Sequence, residues 1–552
     1  MTAEPESRHG ILAACERIAD SLERNANTAA ALALVLIFVL ALGQSANKLL
    51  WFDELITLKS ASLPHWRDVW SFYSSGLDTN SPSAAFIVRA ALMLPFSPEI
   101  ASRLPFTFAV LVMCWCIFGF VRRRYPAGYA LAALIFSVYP LMFYFATEAR
   151  AYALVLACAG VALYSWQSAV DGRYRPVSLL SLWLALAFAV NVHAFAIFLF
   201  IPFAMAQFLC DFRLKKPDWA IWAALVFSPI GIMPVLHGEL LSKKIYGANF
   251  WTQPDLKSMF ESYTGLVFSG GLTYLAFLLL IAVGAVLLRW KGRLPISLPI
   301  PLPNSVIESR GFSPPEWALV SMFAILPLYV VPLTYPLHAY HSRYVLYCNI
   351  GLIVLVVAAA AEAARRNRIA GVVLLAFFLF AAERYRATIF IDGLHTLVHP
   401  DRVHRQLQAG FNRLPWVTLL EQSTLPVVTD DPVLFSQLDY YATPELEQRL
   451  IAVTDLRELK KYPQTSTCQF NLLCFSKGLS FRVADMADLL PAYPHFLLLE
   501  DADMGDLVWL PRYLAEQQAA GNTSSECLGP DCSAKAINVY DVHFIRAPDH
   551  VK

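Results

Sequence analysis

A chain of 552 residues that is 57% hydrophobic and 15% charged lies outside the composition of a soluble domain, which is about half apolar and a quarter charged, so a single soluble globule is excluded. Lys and Arg total 43 against 42 Asp and Glu, a formal net charge of +1, which leaves no bulk basic field for nucleic acid and makes any positive patch local. With 13 Trp, 37 Phe and 34 Pro, the sequence reads as a polytopic α-helical membrane protein with irregular wet connections.

Residues 1–28 form an inner amphipathic segment, because Ile11, Cys15, Ile18 and Leu22 fall on one helical stripe with Glu16, Arg17, Asp20 and Glu23 elsewhere. A span needs about 20 mostly apolar residues, and about eleven stretches qualify. They lie near 29–47, 100–121, 127–146, 149–168, 177–191, 192–210, 219–236, 264–288, 315–336, 343–363 and 369–390, which makes 29–390 the membrane domain. Arg122 to Arg124, Arg173 and Arg175, Arg213 with Lys215 and Lys216, Arg289 to Arg293, and Arg365 to Arg368 fall at every second loop. Since cytoplasmic loops retain such residues, the expectation is a multi-pass protein of the inner (plasma) membrane with a cytoplasmic N-terminus and an extracytoplasmic C-terminus.

The first outer loop, 51–99, carries Leu63, Trp66, Trp70 and Tyr73 at helical spacing over 63–75 and a short apolar helix over 83–94 with Arg89. Both are predicted to lie on the membrane. From 395 to 552 the composition becomes that of a soluble α/β domain, with apolar runs at 425–429, 450–453, 496–499 and 538–540 between helical segments near 432–442, 483–491 and 511–519. It contains no Gly-rich phosphate loop. Cys468, Cys474, Cys527 and Cys532 fall there, and in an oxidising compartment four cysteines allow three pairings. Asn522-Thr523-Ser524 has the form of a glycosylation sequon.

The outer ends of the spans are far more polar than the spans. Asp53-Glu54, Glu148 to Tyr152, His193, Lys243-Lys244, and His338, His341, Arg343 and Tyr344 all fall on one face, as a site for a charged headgroup on a lipid tail would require. Each has a plainer reading. Asp53 could cap a helix beginning near Leu55, Arg150 could snorkel, Lys243 could be solvated, and His193 could be a satisfied buried imidazole. A secondary transporter of an anionic or lipid-linked solute is the alternative, although transporters place their charges near mid-membrane and in related halves. An assembly or sensor protein leaves the polar rim unexplained.

Trp51-Phe52-Asp53-Glu54, Asn80-Ser81-Pro82, Glu148 to Leu154 and Ser342-Arg343-Tyr344 together resemble bacterial glycosyltransferases of the GT-C fold, a group that includes protein O-mannosyltransferases and the transferase that adds aminoarabinose to lipid A. The resemblance implies a GT-C catalytic domain over 29–390 that transfers a sugar, with inversion, from a polyprenyl-phosphate donor to a hydroxyl of a protein, lipid or glycan acceptor at the outer face. It implies that Asp53 is the general base, with Glu54 orienting the sugar or a cation. Asn80, Glu148, Arg150, Tyr152, Lys243, His341, Arg343 and Tyr344 are then the candidates for donor phosphate and sugar contacts. Relatives commonly carry a basic residue in the second half of the first loop, where this chain has Asp78 to Pro82, so cationic contacts must come from other loops. No cofactor is required, no metal ligands are assigned, and a divalent cation beside Asp53 and Glu54 is allowed.

Overall fold

The computed structural model describes residues 5–138, 140–246, 254–268, 311–337, 339–381, 387–455, 458, 461, 467–529 and 537–545. Five described helices are long and apolar enough to cross a bilayer, namely Ala26–Ala46, Pro98–Arg122, Ala151–Val170, Arg175–Val192 and Ala194–Leu214. Two further pairs, Trp219–Ile232 with Leu236–Ile245 and Pro314–Ala324 with Leu326–Thr334, qualify only as spans bent by 55° and 52°. The stretches expected as spans at 219–236 and 315–336 are thus each built of two helices. Proline stands at each break, Pro234 between Ile232 and Leu236 and Pro327 in the first turn of Leu326–Thr334, and its missing N–H and fixed φ interrupt the ladder. The stretch 127–146 is likewise divided, into Ala127–Ser137 and Pro140–Ala146, and the described residues of 369–390 belong to Arg368–Ala381 and to the start of Ala387–Val398. Most of the expected span 264–288 lies outside the described residues, as do Arg289 to Arg293 and His338.

Packing is close where small residues permit it. Gly43 of Ala26–Ala46 and Gly393 of Ala387–Val398 face one another's helices, and a Cβ on either would meet a backbone oxygen at 1.9 Å or 2.0 Å, so only glycine allows this crossing. The long helix Pro98–Arg122 runs through the centre, buried against Ala151–Val170. At one end of the bundle the basic loops meet acids: Arg122 with Glu23, Arg124 with Asp171 and Glu316, Arg368 with Asp20. The other end carries the loop that follows Ala46.

That loop folds into three short helices, Phe52–Ala61, Trp66–Ser74 and Pro82–Ala91. Ser81 accepts from the Ser83 N–H and Pro82 occupies the first turn, a favoured helix start. Arg89 ties the last helix to the first by donating to the carbonyls of Ala61, Leu63 and Pro64.

The C-terminal part forms a six-stranded sheet of β1 Val427–Thr429, β2 Leu450–Val453, β3 Val483–Ala484, β4 His495–Asp501, β5 Thr523–Cys527 and β6 Ile537–Phe544, in the order β3-β2-β1-β4-β6-β5. β3, β2, β1 and β4 run parallel, and β6 and β5 add antiparallel. β1 and β2 are buried along their whole length, as parallel strands covered on both faces must be. One face packs on Met486–Ala492 and Leu510–Ala519. The other is continuous with the core of the membrane part, where Phe475 meets Phe52 at 6.1 Å and Phe72 at 6.0 Å.

Four polar contacts fix helices of the C-terminal part to residues 50–99. Leu50 N donates to the Tyr441 hydroxyl at 3.0 Å, Gln437 donates to Leu50 O at 3.3 Å, Lys59 pairs with Asp439, and His404 meets Glu99 at 2.7 Å. Cys474 is a buried free thiol and Cys527 is disulfide-bonded. Oxidation of all four outer cysteines is therefore corrected at Cys474. The side chains of Cys468 and Cys532 lie outside the described residues.

Candidate active site

The helix Phe52–Ala61 starts at Phe52, not near Leu55, with Trp51 as its N-cap. Asp53 therefore sits in the first turn and caps nothing, which removes the plainest structural role for it. The carboxylate is 19% exposed and lies 3.1 Å from an Arg150 guanidinium nitrogen and 3.5 Å from one of Arg343. Three segments far apart in sequence thus converge on one oxygen, Asp53 Oδ2.

Arg150 is the N-cap of Ala151–Val170 and is buried. It also reaches the Asn80 side-chain carbonyl at 3.4 Å and lies 5.8 Å from the Tyr152 ring centre, while its Nε is buried with no hydrogen-bond partner among the described residues. A buried guanidinium donor without an acceptor is costly and is available to an incoming anion. Arg343 lies over the same Tyr152 ring at 5.5 Å and the Trp51 ring at 5.9 Å. Two cations beside one aromatic ring are held by its quadrupole and by Asp53, which both approach.

Asn80 is itself held by Asp78, whose carboxylate accepts from the Asn80 side chain at 2.6 Å and from its backbone N–H at 3.0 Å. Burial raises the Asp78 pKa, and the charge of Arg150 opposes the rise. Tyr152 stacks on Tyr344 at 6.4 Å, and His193 and His341 flank Tyr344 at 5.0 Å and 5.9 Å. The two histidines use one device: His193 Nδ1 accepts from Phe195 N at 3.3 Å and His341 Nδ1 from Arg343 N at 3.1 Å, each capping a 3-10 turn. Burial, aided by Arg343, holds the His341 pKa down to about 3, so the ring is neutral at pH 7 and its proton is on Nε2. It positions Arg343 through the backbone.

Glu54 has a different place. It is wholly buried, accepts from Arg103 Nε at 2.8 Å and Nη2 at 2.7 Å and from Ala149 N at 2.8 Å, and takes the Trp51 N–H at 3.3 Å. Arg103 in turn donates to the carbonyls of Ser45, Lys48 and Leu49, which spends all five guanidinium N–H groups. The orienting role expected for Glu54 is thus replaced by a structural one, tying the Asp53 turn to the loop that carries Arg150. Glu148 faces Lys48 at 3.2 Å, and burial pushes this pair toward neutrality, Glu148 up and Lys48 down. Lys243 is exposed on Leu236–Tyr246 and has no ion pair among the described residues.

The site therefore gathers Asp53, Asn80, Arg150, Tyr152, His341, Arg343 and Tyr344 of the expected residues and leaves Glu54, Glu148 and Lys243 outside the cluster. Sequence reasoning passed over Asp78, Lys48 and Arg103. An arginine inside a predicted span needs a buried partner, so Arg103 within 100–121 was the available signal. Among the described residues no three His, Cys, Asp or Glu side chains gather as a metal-binding set.

Residues 79–237 match the model of the dolichyl-phosphate-mannose-protein mannosyltransferase family. No curated protein matches the sequence. Among solved structures, ArnT from Cupriavidus metallidurans in the apo state is 13% identical, covers 95% of this chain and 98% of its own, and superposes with a TM-score of 0.51. The same protein bound to undecaprenyl phosphate is 12% identical over 95% and 99%, with a TM-score of 0.49. The Archaeoglobus fulgidus oligosaccharyltransferase is 9% identical over 90% and 72%, with a TM-score of 0.34. The first likeness shows a shared fold along nearly the whole chain, and the resemblance to glycosyltransferases of the GT-C fold read from the sequence is borne out.

Proposed function

We propose that this protein is a membrane glycosyltransferase that moves a sugar from a polyprenyl-phosphate carrier to an acceptor hydroxyl at the outer membrane face, with inversion. The observation that carries the reading is the convergence of Arg150 and Arg343 on Asp53. One partly exposed carboxylate between two cations suits a reaction in which a proton is taken at one atom while phosphate charge develops beside it.

In the donor-free protein Asp53 occupies donors that a phosphate can use. A donor phosphate, with more acceptor oxygens and more charge than a carboxylate, draws Arg150 and Arg343 to itself. Asp53 Oδ2 then accepts the acceptor's O–H proton as that oxygen forms its bond to the anomeric carbon. The anomeric carbon–phosphate oxygen bond breaks, and its electron pair leaves with the polyprenyl phosphate. Tyr152 and Tyr344 supply an aromatic wall for the sugar, and Asn80 a polar contact. The cationic work is assigned to the two arginines, and a divalent cation is not needed for any of these steps.

Acceptor class is the open choice among protein, lipid and glycan. The test is transfer by the reconstituted wild-type protein from labelled polyprenyl-phosphate hexoses and pentoses to membrane extract fractions, with the anomeric configuration of the product read by NMR. Label in a product of inverted configuration supports the reading. Retention of configuration overturns the single-displacement mechanism, and no transfer from any such donor overturns the activity.

A further inference from the structure

The end of the bundle opposite Asp53 contains an open cavity of about 590 Å³ whose wall includes Arg24, Arg122, Arg123 and Arg173 and one acid, Glu23. The 21-residue helix Ala26–Ala46 begins in this wall and ends next to the Asp53 loop, so roughly 31 Å separates them at 1.5 Å per residue. That distance is one hydrocarbon thickness. The cavity therefore lies at the headgroup level of the leaflet facing away from Asp53.

Its charge is unbalanced. The Glu23 carboxylate is spent on Arg122 at 2.8 Å and on Ala127 N at 2.7 Å. Among the described residues, Arg24, Arg123 and Arg173 have no carboxylate partner, although other arginines of the same end do: Arg124 has Asp171 and Glu316, Arg175 has Asp218, and Arg366 has Glu362. Of the residues lining the cavity only Glu23 is an acid, and it is already engaged. Arg123 is held in place by Tyr164 O and Gln167 Oε1, each at 3.4 Å, and by the Tyr164 ring at 3.9 Å.

Guanidinium groups match phosphate oxygens in geometry as well as charge. At headgroup depth the phosphate most available to them belongs to a lipid. We propose that this cavity binds the phosphodiester headgroup of an anionic phospholipid in the leaflet opposite the one that Asp53 faces. The inference rests on the cavity alone and is independent of the glycosyltransferase reading.

The test uses the full-length protein in nanodiscs of phosphatidylcholine mixed with cardiolipin or phosphatidylglycerol, with retained lipids counted by native mass spectrometry. Arg24 and Arg173 are exposed, so Arg24→Gln/Arg173→Gln leaves the fold intact, which its unfolding temperature checks. Wild-type protein is expected to retain anionic lipid over phosphatidylcholine. The double variant is expected to lose roughly 30-fold in that preference and Arg173→Gln alone roughly 5-fold, with Arg24→Lys/Arg173→Lys restoring most of it. Undiminished retention in the double variant overturns the proposal. So does displacement of the lipid by low-millimolar inorganic phosphate, which would make the ligand a soluble anion.

Discussion

Asp53 and Glu54 are adjacent, carry the same charge and open the same helix, yet the structure treats them in opposite ways. Glu54 is sealed against Arg103, with every guanidinium N–H spent and contacts of 2.7–2.8 Å between the two side chains. Asp53 is partly exposed, its arginines stand at 3.1 Å and 3.5 Å, and Arg150 keeps a buried Nε without an acceptor among the described residues. A saturated network has nothing left to offer a ligand, whereas spare donors around a reachable carboxylate do. Saturation, more than charge or burial, separates the scaffold from the candidate machinery here.

Substitutions at the two positions can break that distinction. Asp53→Asn keeps the shape but cannot accept a proton, so turnover is expected to fall about 10²–10⁴-fold, measured in protein shown to be folded, because Arg150 also loses its counter-charge. A folded variant transferring at the wild-type rate would sink the base assignment. Glu54→Gln leaves Arg103 buried without its counter-charge, and loss of about 3–5 kcal/mol of stability is expected, read by thermal unfolding in detergent. If Glu54→Gln is instead as stable as wild type and inactive, the division between the neighbours is wrong.

Arg150→Ala and Arg343→Ala sharpen the comparison on the cationic side. Each is expected to remove about 2–4 kcal/mol of transition-state stabilisation, measured as kcat/KM for the donor in folded protein. Unchanged values would make both arginines structural anchors like Arg103. Lys243→Ala, at an exposed position outside the cluster, should change stability by no more than about 0.5 kcal/mol and leave donor kinetics unaltered. A small, pH-dependent effect concerns the joint between sheet and membrane part. The hydrogen bond to Glu99 raises the His404 pKa, so its stabilisation is complete below the ordinary histidine value of about 6.5 and fades as pH rises through the raised value. At this half-exposed site it is worth less than about 1 kcal/mol, and His404→Gln should flatten that part of the stability–pH curve.

Much of this arrangement was legible as a pattern. The polar outer ends identified Asp53, Arg150 and Arg343 because charged groups flanking apolar spans stand out against them. The apolar runs at 450–453 and 496–499 coincide with β2 and β4, since buried strands need such runs. What periodicity could not supply was partnership. Nothing local to Glu54 or Glu148 says that one faces Arg103 and the other Lys48, contacts separated by 49 and 100 residues. Nor does mean hydropathy register that Pro327 divides a span, because an imino acid lacking its N–H interrupts a helix without making it less apolar.

The contacts at Leu50 have a consequence for the order in which the molecule comes into being. Both backbone polar groups of Leu50, three residues before Asp53, bond to side chains 391 and 387 residues further on. During synthesis the turn bearing the carboxylate emerges early, yet the groups that hold its approach are made only after the whole membrane part. At about 5–20 residues per second, that interval is on the order of 20–80 s. A nascent or truncated chain ending before Gln437 thus has the Asp53 turn without its anchor, which is in place only once residues 437–441 have been made.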